Sequence, residues 1–174
     1  MKPKNVFVID LFCGVGGMTY GLAKEGFNVA AGFDIDPTCK YPYEVNNPGS
    51  RFIQQDIETA NLESIIDIYP NEPGVRVLVG CAPCQPFSRY TQRYTKQKRE
   101  DAKWRLVGSF GRAIEGVQPD IVSMENVPEL ARHSVFDEFL KILDSNNYTV
   151  WWDIIHCVDY GVPQTRRRLV LLAS

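Results

Sequence analysis

Short apolar runs alternating with amphipathic stretches recur along the whole chain and restrict its fold more than any other feature. An apolar run of four to eight residues, bounded by glycine or polar turns, suits a strand buried on both faces. Such runs predict strands at Asn5–Leu11, Asn28–Phe33, Phe52–Gln54, Val75–Gly80, Ile121–Met124, Thr149–Cys157 and Leu169–Ala173. Helices are expected at Met18–Glu25, Pro37–Asn46, Leu62–Tyr69, from near Trp104 to about Val117, and at Val135–Leu143. Gly26, Pro48-Gly49 and Pro70 supply stops for the first three. This alternation implies an α/β fold: a doubly wound, mostly parallel sheet with helices on both faces. Ligands of such sheets bind beyond the carboxyl ends of the strands.

The chain has 174 residues, 44% of them hydrophobic, enough for one domain, 1–174, with a full core. No internal repeat, low-complexity tract or linker divides it. No apolar run approaches the roughly 20 residues that span a bilayer. The run Val6-Phe7-Val8-Ile9 breaks at Asp10, too soon for a signal peptide, so a cytoplasmic location is expected. Cys13, Cys39, Cys81, Cys84 and Cys157 make an odd set of five, which fits packing thiols with one reactive member better than a disulfide framework. Net charge is −2, yet the window from Arg89 to Arg105 holds seven basic and two acidic residues, +5, leaving −7 elsewhere. With Arg166-Arg167-Arg168, that window suits either a solvated basic loop or a surface that meets phosphate on one side.

Two groups of motifs fall at the ligand edge. Asp10-Leu11-Phe12-Cys13-Gly14-Val15-Gly16-Gly17 joins the first strand to the first helix, where glycines permit a tight turn and backbone amides can face a ligand. Asp34 and Asp36 end the second strand, within reach of ribose hydroxyls. Asp56-Ile57 follows the third, where an acid can meet an adenine amino group. These residues alone leave open another nucleotide, or none. Past the fourth strand comes Gly80-Cys81-Ala82-Pro83-Cys84-Gln85-Pro86-Phe87-Ser88. Its C-x-x-C could be half a zinc site or a redox pair. His133 and His156 are the only imidazoles and lack finger spacing, and Pro86 fits a redox helix loosely. No metal is expected. Met124-Glu125-Asn126-Val127-Pro128 ends the fifth strand with a carboxylate able to act as an acid. Gln164-Thr165-Arg166-Arg167-Arg168 leads into the last.

Taken in order, Asp-Leu-Phe-Cys-Gly-Val-Gly-Gly, Pro-Cys-Gln-Pro-Phe-Ser, Glu-Asn-Val and Gln-x-Arg-x-Arg resemble the DNA cytosine-5 methyltransferases of restriction–modification systems. The resemblance runs from position 9 to the last strand. It implies an S-adenosylmethionine-dependent methyltransferase fold and methyl transfer to carbon 5 of cytosine in double-stranded DNA. By that resemblance Cys84 is the nucleophile, Glu125 contacts cytosine N3 and the exocyclic amine, and Arg166 and Arg168 position nucleophile and base. Phe12, Gly14, Gly16, Asp34, Ile35, Asp56, Ile57, Pro83 and Leu106 fall at cofactor-contacting positions. Gln85, Ser88, Arg89 and Gln164 fall at DNA-contacting ones, and the Arg89–Arg105 segment corresponds to a loop that closes over flipped DNA. A branch carrying the same motifs methylates tRNA, and a non-catalytic relative would keep the fold without the chemistry.

Members of that family are longer, with a target-recognition region and a completing segment after the last strand seen here. The resemblance therefore implies a fragment, or one subunit of a split enzyme with a second chain reading DNA. The isolated chain is expected to bind S-adenosylmethionine weakly and to methylate with little site selectivity.

Overall fold

The computed structural model describes residues 5–83 and 96–174, with the backbone alone for 96–104. Seven strands form one sheet: β1 Val6–Leu11, β2 Asn28–Asp34, β3 Arg51–Gln54, β4 Val75–Gly80, β5 Ile121–Asn126, β6 Val150–His156 and β7 Arg167–Ala173. The helices are α1 Gly17–Lys24, α2 Lys40–Asn46, α3 Leu62–Ile66, α4 Lys96–Val117 and α5 Ser134–Ser145. Strand order is β3-β2-β1-β4-β5-β7-β6. β1 to β5 run parallel, whereas β7 lies antiparallel between β5 and β6.

The central strands bury both faces, as their continuous apolar sequence requires. In β1, Phe7, Ile9 and Leu11 join Leu78, Val122, Met124 and Leu171 in the main core, where Phe110, Ala113 and Ile114 of α4 and Phe136 and Phe139 of α5 cover them. Val8 turns the other way and packs with Val29, Val77 and Val79 under Met18 and Leu22 of α1. Each fully buried large apolar side chain contributes about 1.5–3 kcal/mol relative to exposure. Phe110 and Phe139 stack with centroids 5.7 Å apart, joining α4 to α5. Beside α1 the sheet face stays open as an apolar groove of about 470 Å³ between Phe27, Val77, Ile121 and Leu172.

Two glycines are set by close approach. A Cβ on Gly80 would stand 3.1 Å from the Phe110 ring, so α4 settles directly on the end of β4. Gly16, at φ 85°, has Tyr43 and the Asn47 amide against the place a Cβ would take. That contact brings α2 onto the turn after β1. Asn61 caps α3 by accepting from Glu63 N at 3.0 Å, and Pro37 opens a 3-10 turn, Pro37–Cys39, ahead of α2.

The structure departs from the sequence expectations at several ends. α4 begins at Lys96, not near Trp104, and the stretch from Pro37 divides into a 3-10 turn and a shorter α-helix. α3 stops at Ile66 rather than Tyr69, because Tyr69 folds back to donate its hydroxyl to Val77 O at 2.8 Å. β7 starts two residues early, at Arg167, and puts arginines within the sheet.

Candidate active site

The strand order reverses between β1 and β4, so the chain leaves their carboxyl ends in opposite directions and opens a crevice there. Because β7 runs antiparallel to β5, its first residues reach the same rim as the last residues of β1, β2, β4 and β5. The glycine turn, Glu125-Asn126-Val127 and the arginine run thereby meet at one edge, with Cys81–Pro83 beside them.

On the β1 side, a cavity of about 200 Å³ is lined by Phe12, Asp34, Ile35, Asp56, Ile57, Pro83 and Leu106, with Gln55, Glu58 and Arg105 completing it. Phe12 stands at φ 60°, a left-handed conformation uncommon for a bulky side chain, which marks this turn as held by its surroundings. Gly14 and Gly16 do not line that cavity. Gly14 N instead donates to Asp34 Oδ2 at 2.9 Å, while Asp34 Oδ1 accepts from Asp36 N at 2.9 Å. Asp34 thus clasps the glycine turn. Asp36 caps the 3-10 turn by accepting from Thr38 N and Oγ1 at 2.9 and 2.7 Å, bonds that lower its pKa. Asp56 Oδ1 accepts from Glu58 N at 2.9 Å. Sequence reasoning missed Glu58 and Arg105, which pair at 2.8 Å across the cavity mouth. Their positions follow from where α4 packs.

On the β5 side, Glu125 Oε1 meets Arg168 Nε at 2.5 Å, with side chains 32% and 18% exposed, so the pair is half-buried. Glu125 pairs in register with Val170, and Arg168 lies two residues along on the same face. Asn126 Nδ2 donates to Ala82 O at 3.0 Å, and Asn126 Oδ1 accepts from Val127 N at 2.8 Å. This amide ties the end of β5 to the segment leading into Cys84, a structural link the sequence did not reveal. Cys81 lies next to the end of β4, and burial, then the nearby Glu125 and Asp10 carboxylates, push its thiol well above the ordinary range. It is a poor thiolate. Arg166 and Gln164 are exposed on the approach to β7. Cys84, Gln85, Ser88 and Arg89 lie outside the described residues.

Behind the crevice, Thr19 Oγ1 donates to Asp10 Oδ2 at 2.7 Å and lies 3.2 Å from Tyr43 Oη, which is itself 2.7 Å from Ser50 Oγ. Burial pushes Asp10 up to about 7 and Tyr43 up to about 12. Cys13 packs beside Tyr43 and Phe52, and burial raises its thiol too. It behaves as a packing residue, as expected from the sequence. Trp152 meets Phe136 edge-on at 5.2 Å, while Trp151 faces outward half-exposed. Among the described residues no cluster of His, Cys, Asp and Glu could hold a metal ion, and no helix is long and apolar enough to cross a membrane.

A parallel α/β sheet with an antiparallel strand inserted between the last two, and a crevice joining a glycine turn to a Glu–Arg pair, defines a Rossmann-like methyltransferase fold. The chain belongs to the C-5 cytosine-specific DNA methylase family, whose profile matches residues 6–174. It is 51% identical over 170 residues to the type II methylase M.HgiDII of Herpetosiphon aurantiacus, covering 96% of this chain and 46% of that protein. It is 30% identical over 167 residues to M1.HphI of Haemophilus parahaemolyticus, covering 94% of this chain and 44% of the relative. A prophage-encoded candidate DNA modification methyltransferase of E. coli superposes with a TM-score of 0.80 at 29% identity, over 97% of this chain and 46% of that one. The chain thus spans about half the length of these relatives.

Proposed function

We propose that this chain is the catalytic portion of an enzyme that methylates carbon 5 of cytosine in double-stranded DNA, with S-adenosylmethionine as donor. The observation that carries the reading is the Glu125–Arg168 pair, held at the strand ends where Asn126 anchors the entry to Cys84. The cavity beside it suits the donor: Phe12, Ile57 and Leu106 offer apolar faces for an adenine, and the Asp34 and Asp56 carboxylates offer acceptors. The donor's part is an electrophilic methyl on sulfonium.

Carbon 5 of cytosine is too weak a nucleophile to take that methyl unaided. In this reading the Cys84 thiolate adds to carbon 6, and Glu125 supplies a proton or hydrogen bond at N3. The electron pair displaced from the 5,6 double bond makes carbon 5 enamine-like and able to attack. Loss of the carbon 5 proton and expulsion of the thiolate then restore the ring. Arg168 fixes the Glu125 carboxylate in orientation, and Arg166 lies on the same approach. A stacked base cannot reach this rim, so the cytosine must be flipped out. The partner is therefore duplex DNA, with target recognition supplied by a further region or a second chain.

Trapping on duplex DNA carrying 5-fluorocytosine tests the reading in the intact protein. A covalent adduct dependent on S-adenosylmethionine is expected, absent in Cys84→Ser. No adduct on DNA, with methyl transfer to tRNA instead, would overturn the substrate. No adduct on either would overturn the chemistry.

A further inference from the structure

A second cationic cleft lies beyond the end of β5, apart from the donor cavity and sharing only Arg168 with the Glu125–Arg168 pair. It has a volume of about 430 Å³ and is lined by Arg132, Arg167, Arg168 and Thr165, with Glu129 as its acidic member. Arg168 is committed to Glu125. Arg132 and Arg167 are exposed, and among the described residues neither makes a salt bridge.

Two different elements deliver these free guanidiniums to one cavity. Arg132 ends the 3-10 turn Pro128–Arg132 that follows β5, and Arg167 opens β7. Both backbones are anchored: His133 N donates to Leu130 O at 3.0 Å, and Cys157 N to Arg166 O at 2.9 Å. Successive strand residues face opposite ways, so Arg167 cannot share the Glu125 carboxylate that Arg168 holds. Among the described residues its charge meets no carboxylate. A guanidinium presents a planar fork of donors that matches phosphate oxygens in pairs. Two such forks and the Thr165 hydroxyl, in an open cleft next to the base-contacting pair, fit a tetrahedral anion carried on a larger polymer.

We propose that Arg132 and Arg167 clamp one phosphodiester of the DNA backbone, adjacent to the nucleotide whose base meets Glu125. The assignment rests on the DNA-methylating reading above and adds a positioning contact to it. Glu129 opposes the anion from within the cleft and limits how tightly the backbone is held.

The test is equilibrium binding of the intact protein to a mixed-sequence DNA duplex across a salt series. Phosphate contacts dominate such binding, and each contributes a slope of about 0.9 in log affinity against log salt. Arg132→Gln combined with Arg167→Gln, which gives up that one phosphate, is expected to weaken binding roughly 10-fold near physiological salt and to flatten the slope by about 0.9. In turnover the loss should fall on KM for DNA rather than on kcat. Arg132→Lys with Arg167→Lys, which keeps both charges, should retain most of the salt slope, separating lost charge from damaged folding. Glu129→Gln should tighten binding. Unchanged affinity and slope in the glutamine pair would overturn the clamp, as would a fall in kcat with binding intact. Weakening on tRNA but not on duplex DNA would overturn the choice of polymer. Failure of the parent reading is distinct, since it shows as the absence of a 5-fluorocytosine adduct in the unmodified protein.

Discussion

Asp10 keeps its carboxyl beneath α1 with 1% of its surface exposed. One oxygen accepts from Thr19, and the other has no partner among the described residues. With its pKa raised from 3.8 to about 7, the folded protein holds a proton that the unfolded chain has already released. The stability that Asp10 contributes should therefore be greatest below about pH 4, fall as pH rises toward 7, and level off above. The steepest slope approaches 1.4 kcal/mol per pH unit for one such group. Asp10→Asn keeps the shape and the acceptor for Thr19, and denaturant titrations across that range should show the slope largely gone. At the rim, Glu125→Gln should lower methyl transfer about 100-fold or more while leaving the melting transition nearly unmoved. Single-turnover kinetics alongside thermal melts check this. The sequence revealed the residue types here better than their bonds. Glu125 and Arg168 are separated by 43 positions (168 − 125) and meet only because β7 is antiparallel. Asp34 reads as a free acceptor for ribose, yet two of its lone pairs go to Gly14 and Asp36 amides. Nothing in the linear pattern records that a backbone turn competes for the same carboxylate.

Elements with strong period or composition were legible. β4 matches its expected bounds because Val75–Gly80 is apolar apart from Arg76 and closed by a glycine. α5 carries its apolar residues on one face, with Phe136, Phe139 and Leu143 buried, and differs from expectation by one or two residues at each end. α4 was seen only in its second half. From Lys96 to Lys103 the sequence is almost wholly charged, which hides the helical period although these residues favour helix. The packed half of α4 fixes the end of β4 through Phe110 against Gly80 and Phe139. Phe110→Ala should cost about 3–5 kcal/mol, since the site is walled by strands and cannot collapse. Urea unfolding gives the value. A loss under 1 kcal/mol would show that α4 does not hold the end of β4 in place. Gly80→Ala should be milder in stability and more damaging to activity, because it displaces the segment entering Cys84.

Across the molecule, charge and topology act together. The antiparallel insertion of β7 carries the arginines to the rim, and in sequence the Arg89–Arg105 window is basic within an otherwise acidic chain. DNA affinity should fall steeply with ionic strength despite the net charge of −2. A filter-binding series in increasing salt measures it. The same strand order has a bearing on synthesis. β6 lies at the sheet margin, and β7 is its neighbour there. A ribosome releases β6 first. Until the seven residues of β7 emerge, Val150–His156, with its two tryptophans, has no edge to join, while β1 to β5 can already assemble. Nascent chains stalled before Arg167 should show a protease-resistant parallel body with β6 cut freely, and emergence of Arg167–Ala173 should lock both strands in one step. The strand made after β6 is the keystone of that side of the sheet.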